Sequence, residues 1–173
     1  SLHSKLQSMA SQWYTTARAS KKSIQETLIS VRLSTIHDAK EEIASPLCEL
    51  INRVYDEAES GMWRQGMKRT TLQAVQQYLR EGSLILALSN NRVIGCVFVQ
   101  ILSKTNNNNN ANLKIGEFGM LVCDPMYRGY GIGYKLIASA EQWALGQGCT
   151  KMQLELLHPQ QWKHPSKEFL KEW

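Results

Sequence analysis

Metal-binding and redox signatures are missing from this chain of 173 residues. The four cysteines, Cys48, Cys96, Cys123 and Cys149, stand far apart, none within three residues of another. That spacing excludes the C-x-x-C pairs of zinc ribbons and thioredoxin-like sites. The four histidines, His3, His37, His158 and His164, show no H-E-x-x-H spacing. The expectation is reduced thiols, no metal and a cytoplasmic chain, with a nuclear location left open. No apolar run approaches the roughly 20 residues needed to span a bilayer. The longest, Val93 to Leu102, contains Gln100 and reads as a strand. No apolar segment follows a basic start, so neither a signal peptide nor a membrane partner is expected.

Dense basic charge is missing too. Lys plus Arg number 20 and Asp plus Glu 15, a net of +5. Residues 1–27 hold Lys5, Arg18, Lys21 and Lys22 against Glu26, a net of +3, which leaves +2 for the rest. A nucleic-acid binder shows a basic patch or stripe, and these residues are scattered. A mild positive excess suits a small anionic ligand better. The hydrophobic fraction of 43% and charged fraction of 20% are ordinary for a globular chain, and the length fits one domain.

Residues 1–27 are polar and carry no strong apolar stripe, so they read as an N-terminal extension, with the folded domain over 28–173. Leu28 to Ser34 alternates as a strand does. Asp38 followed by Glu41 resembles a helix N-terminal box. Pro46 suits a first helical position, ahead of Leu47, Leu50, Ile51, Val54, Tyr55 and Ala58 at helical spacing. Gly61 ends that run. Thr70 or Thr71 can cap a second helix through Leu72, Val75, Tyr78 and Leu79, which Gly82 closes. Leu84 to Ser89 and Val93 to Leu102 read as strands joined by Asn90-Asn91, a tight-turn pair. Asn106 to Asn110 is a low-complexity loop tip. Lys114 to Cys123 is another strand, stopped by Asp124-Pro125. A helix through Leu136, Ile137, Ala140, Trp143 and Ala144 follows, then a strand over Met152 to Leu157 and a last helix capped by Ser166. The order is β-α-α-β-β-β-α-β-α.

The segment Glu117 to Gly133 carries the chemistry. A strand runs through a glycine loop into a helix, where free amides and the helix dipole make an anion site. Gly129, Gly131 and Gly133 let a ligand approach the backbone, and Arg128 adds a fixed positive charge. Close packing of helix on sheet is a second reason for glycine at 131 and 133. A P-loop fails, because Tyr134 and not Lys follows Gly133. A dinucleotide fingerprint also fits poorly. Tyr134 stands at its third glycine, although Glu155 lies where its ribose-binding acid would.

The remaining pattern is R-x-x-G-x-G, here Arg128-Gly129-Tyr130-Gly131-Ile132-Gly133, preceded by Leu121-Val122-Cys123-Asp124-Pro125. This resembles the GNAT superfamily of N-acetyltransferases, and the element order from Leu28 onward agrees. The resemblance implies a mixed α/β fold, mostly antiparallel, with helices flanking the central sheet. It implies acetyl-CoA as cosubstrate, lying where the strand at 114–123 splays from the strand at 152–157. Backbone groups of Leu121, Val122 and Cys123 would meet the pantetheine arm. The amides of Gly129, Tyr130, Gly131, Ile132, Gly133 and Tyr134, with Arg128, would hold the pyrophosphate. The partner would be an amine acceptor, acetylated by direct attack. A second reading keeps the cofactor wedge in a CoA-binding or interaction module without turnover.

An amine must lose a proton before it attacks, and Glu117 is the candidate base. It falls where histone acetyltransferases of the superfamily carry theirs. Uninterrupted alternation places Glu117, Gly119, Leu121 and Cys123 on one face of the strand. Glu155 on the next strand is a second carboxylate. Cys123 reads as a packing residue, because no histidine stands near it to activate a thiol. The helices at 47–60 and 72–81, with Met62, Trp63 and Met67 between them, would wall the acceptor. Lys167 stands near a helix start where the family often has Asn. Family members usually carry a tyrosine just beyond the position of Trp173, then two more strands. The expectation is a C-terminally short domain whose exposed sheet edge a homodimer could cover.

Overall fold

The structure, a computed structural model, describes residues 29–62, 66–105 and 112–155. The readings placed on residues 1–28, Trp63, Asn106–Asn110, His158, His164, Lys167 and the closing helix lie outside them. The element order is β1 (Ile29–Leu33), α1 (Glu41–Ala58), α2 (Leu72–Glu81), β2 (Leu84–Ser89), β3 (Arg92–Thr105), β4 (Asn112–Cys123), α3 (Ile132–Gly146) and β5 (Lys151–Leu154). The strands form one sheet in sequence order. Neighbours are antiparallel from β1 to β4, and β5 lies parallel to β4. That single parallel pair is joined through α3, as a crossover requires.

Alternation along β2 feeds both faces of the sheet. Leu84, Leu86 and Leu88 pack with Leu47, Leu50, Ile51, Val75 and Leu79 of α1 and α2. Ile85 and Ala87 pack with Ile132, Leu136 and Ala140 of α3. All six β2 residues are buried, as expected of a strand covered on both sides. Two glycines let α3 lie close. A Cβ on Gly95 would sit 2.7 Å from the Val122 carbonyl oxygen, and one on Gly116 would sit 2.8 Å from the Ala144 Cβ. The glycines demanded by packing are therefore in the strands.

Several local signals hold. Thr71 caps α2, its Oγ1 accepting from the Ala74 amide at 3.2 Å. Gly82 closes that helix at φ +66°. Asn90 and Asn91 take φ +49° and +63° in the β2–β3 turn, the left-handed pair that such a hairpin needs. Two signals at α1 do not hold. The helix starts at Glu41, so Pro46 lies in its second turn and not at its first position. The Lys40 carbonyl accepts from Ile43 and Ala44 at 3.0 and 2.9 Å, which starts the helix one turn early. Asp38 does not cap α1. It faces back into a short 3-10 turn (Ile36–Ala39). There it accepts from Arg32 Nη1 and Nη2, both at 2.7 Å, and from the Thr35 amide at 2.7 Å.

Candidate active site

The register of β3 against β4 slips beside the motif. Cys96 pairs with Val122 and Phe98 with Gly119, so two β4 residues, Met120 and Leu121, oppose Val97 alone. This is a β-bulge, and Met120 takes φ +48° to make it. Burial fixes that conformation. Met120 is buried against the α1 and α2 side. Its carbonyl accepts from the Cys96 thiol at 3.9 Å, a weak bond.

The bulge changes which residues share a face. Met120 and Val122 face α1 and α2, while Phe118, Leu121 and Cys123 pack on the α3 side. Unbroken alternation would have kept Leu121 and Cys123 beside Glu117, and the extra residue separates them. The bulge also coincides with the end of β5. Pairing runs from Ile115–Lys151 to Phe118–Leu154. Among the described residues, β4 beyond Phe118 has no strand on that side.

At the end of β4, Asp124 anchors the turn into the glycine loop. Its amide donates to the Ile94 carbonyl at 2.7 Å. Its carboxylate accepts from the Met126 amide at 3.0 Å and from Arg92 Nη2 at 3.3 Å. Gly129 and Gly131 then take φ +84° and +72°, a backbone that residues with a Cβ rarely adopt. Gly131 is the N-cap of α3 and has no side chain to cap it. The first helical bond runs from the Lys135 amide to the Gly131 carbonyl at 3.0 Å. The amides of Ile132, Gly133 and Tyr134 thus have no acceptor inside the helix. Among the described residues, a Cβ built on Gly129, Gly131 or Gly133 meets no atom within 4 Å beyond its chain neighbours and its own helix. Packing against the described residues, the second reason given for Gly131 and Gly133, does not explain them. The residues present form an open cradle of donors suited to a phosphate or pyrophosphate.

Arg128 stands beside this cradle, 63% exposed, with Nη2 3.7 Å from Glu57 Oε2 of α1. An exposed pair of that length contributes little, about 0–1 kcal/mol, so it leaves the guanidinium available. The Cys123 thiol points elsewhere, 3.6 Å from the Asp124 carbonyl. Burial pushes its pKa up, and Asp124 adds to that against a smaller opposing effect of Arg128. This is the environment of a packing thiol and not of an activated nucleophile.

Glu117 lies one strand pair before the end of the β4–β5 pairing. It stands opposite Gln100 of β3 and Gln153 of β5. Gln100 Nε2 donates to Oε1 at 2.6 Å, and Gln153 Nε2 donates to Oε2 at 2.8 Å. Each oxygen keeps a further acceptor position. Glu117 borders a cavity of about 290 Å³ together with Glu155, Tyr78, Phe98, Arg69 and Gly119. Thr70 also borders it and is pinned by Asn52 of α1, which accepts from its amide at 3.0 Å and donates to its carbonyl at 3.1 Å. A Cβ on Gly119 would meet nothing within 4 Å, so the strand backbone is open to the cavity there. The segment before α2 and α2 itself border this cavity, but Met67 belongs to a neighbouring one with Tyr55 and Glu59.

Sequence reasoning did not find the two glutamines or the bulge. Gln100 was visible as the polar residue in an apolar run. Gly119 inside a strand was the usual sign of a bulge.

The arrangement is thus an anion cradle, a strand edge without a partner among the described residues, and a carboxylate in a cavity across the bulge. The family model described as Acetyltransferase (GNAT) family matches residues 48–172. The chain belongs to the GNAT acetyltransferase family. A comparison with curated protein sequences gives no significant match. Solved structures share the GNAT fold at low identity. An aminoglycoside acetyltransferase from an uncultured soil metagenomic sample is similar with TM-score 0.57 and 17% identity, over 75% of this chain and 78% of that one. The ribosomal-protein-alanine N-acetyltransferase from Brucella melitensis biovar Abortus 2308 gives 0.56 and 18%, over 84% and 89%. A predicted acetyltransferase from Clostridium acetobutylicum, solved with acetyl-CoA, gives 0.57 and 15%, over 83% and 88%. In this GNAT chain, as among its described helices generally, none is long and apolar enough to cross a membrane.

Proposed function

We propose that this chain is an acetyl-CoA-dependent N-acetyltransferase that acts on a primary amine by direct attack. One observation carries the reading. The open glycine cradle at 129–133 adjoins a β4 edge that has no strand partner among the described residues, and the Glu117 cavity opens across the bulge from them. When bound, acetyl-CoA supplies the acetyl group: the amine nitrogen bonds to the carbonyl carbon, the C–S bond breaks, and the CoA thiolate leaves and takes up a proton.

This chain's residues would do the rest. The amides of Ile132, Gly133 and Tyr134, with Arg128, hold the pyrophosphate. Backbone groups from Leu121 to Cys123 hold the pantetheine arm as a missing strand would. A backbone amide beside the bulge can face the thioester oxygen as charge develops there. Glu117 accepts the proton that the amine must lose, using a lone pair that the two glutamines leave free. The glutamines fix its carboxylate without neutralising it.

The reading is tested by incubating the chain with acetyl-CoA and a panel of primary amines. Free thiol and N-acetylated product should appear in equal amounts. Acetyl-CoA binding without product from any amine would instead favour a cofactor-binding module without turnover.

A further inference from the structure

We propose that the acceptor of the Glu117 cavity is a short α,ω-diamine. This deepens the reading of that cavity as the acceptor site and rests on it. Two carboxylates, Glu117 and Glu155, border the same cavity. Glu117 pairs with Gln153, and Glu155 lies two residues further along that strand direction. Continued extended past the end of β5 at Leu154, alternation would return Glu155 to the face of Gln153 and set it diagonal to Glu117 across the two strands, about 7–8 Å away. Gln153 itself bonds Glu117 on that face, at 2.8 Å. The separation suits the two ammonium groups of an extended four-carbon diamine. One would sit at Glu117 as the reacting amine and the other at Glu155.

The walls between the carboxylates suit the carbon chain. Tyr78 and Phe98 meet edge to face, their ring centroids 5.0 Å apart. Aromatic rings offer apolar contact to methylenes and attract ammonium groups. At about 290 Å³ the cavity lies at the small end for a ligand site, which favours a small molecule over a peptide. Arg69 is the opposing charge on the border. Its guanidinium carbon lies 4.8 Å from the centroid of the Tyr55 ring, a residue that does not border this cavity. Among the described residues, two carboxylates against one guanidinium leave the cavity favourable to a dication. A carboxylate-bearing amine would set its anion against Glu155.

Calorimetry on the full chain tests this with 1,4-diaminobutane, 1-aminobutane and 4-aminobutanoate. The diamine should bind roughly tenfold tighter than 1-aminobutane, the factor that one partly exposed charge contact supplies. The aminobutanoate should bind most weakly. In Glu155→Gln the gap between diamine and monoamine should close. Glu155 is exposed, so an unchanged melting temperature is the check that the variant folds. Equal affinities, no binding, or a gap that survives in Glu155→Gln would overturn the proposal. So would tightest binding of 4-aminobutanoate, which would assign the site to Arg69. Acetylation is read separately. A diamine that binds with this dependence but is not acetylated overturns the proposed function and leaves the diamine site standing. Monoamines acetylated as well as the diamine overturn the diamine site alone.

Discussion

Gln153 and Gln100 reach Glu117 from opposite sides, one to each carboxylate oxygen, at 2.8 and 2.6 Å. A carboxylate held across three strands has its orientation set before any substrate arrives. Glu117→Gln keeps the shape but removes the proton acceptor. It should lower kcat by about 10²–10⁴, the usual contribution of general base catalysis. Acetyl-CoA affinity should stay close to the parent value. Steady-state kinetics beside a binding titration checks both, and an unchanged kcat would remove Glu117 from the role of base.

The glycines separate by purpose, and alanine substitution should separate them too. Gly133 is the second residue of α3, with no positive φ and open space where a Cβ would stand. Gly133→Ala should leave stability unchanged or raise it by up to about 1 kcal/mol, as alanine favours helix. Acetyl-CoA affinity should fall, because the methyl enters the cradle. Gly95→Ala should do the reverse. Its Cβ would lie 2.7 Å from the Val122 carbonyl oxygen, an overpacking that costs roughly 1–3 kcal/mol. Denaturant melts of both variants, beside acetyl-CoA titrations, check the contrast.

Acid should weaken the corner between β1 and α1. The Asp38 pKa is lowered to about 2, first by its bonds to Arg32, then by those to Thr35, against the opposing effect of burial. A carboxyl that is more acidic when folded contributes stability fully present above its unfolded pKa near 4. That contribution is lost as pH falls from about 4 toward 2. Asp38→Asn should cost about 1–3 kcal/mol at neutral pH, the range for a lost hydrogen bond to a charged group. It should also flatten the stability profile in that acid window. Denaturant midpoints from pH 6 down to pH 2 measure both effects.

Cys123 should not carry the acetyl group. Burial raises its pKa, Asp124 adds to that, and Arg128 opposes it less. Mass spectrometry after incubation with acetyl-CoA should find no acetyl on Cys123. Alkylation by iodoacetamide should be slower there than at an ordinary exposed thiol. Stoichiometric S-acetylation would reverse this and imply a two-step transfer.

Much of the fold was legible because its signals are local. Thr71, Gly82 and the Asn90-Asn91 pair each specify a turn or a cap through their own backbone chemistry. The glycine loop was legible for the same reason. What stayed hidden depends on competition between neighbouring groups or on contacts distant in sequence. Asp38 could be read as a cap for α1, but Arg32, six residues back, takes it. Pro46 marks a helix start by preference, yet the Lys40 carbonyl begins the helix earlier. The bulge at Met120 has no glycine at the left-handed position, and tertiary burial holds it there. Gln100 and Gln153 meet Glu117 only through register, which no one strand displays.

Binding of acetyl-CoA to the glycine cradle is the central claim, and a thermal-shift titration tests it most directly. Adenosine 3′,5′-bisphosphate, which shares the nucleotide end but lacks the thioester arm, is the control. At about 100 times its dissociation constant a ligand stabilises the folded state by roughly 2.7 kcal/mol. The account predicts a saturating rise in melting temperature with acetyl-CoA, larger than with the control and reduced in Gly133→Ala. A folded sample whose melting temperature does not move with acetyl-CoA would contradict it.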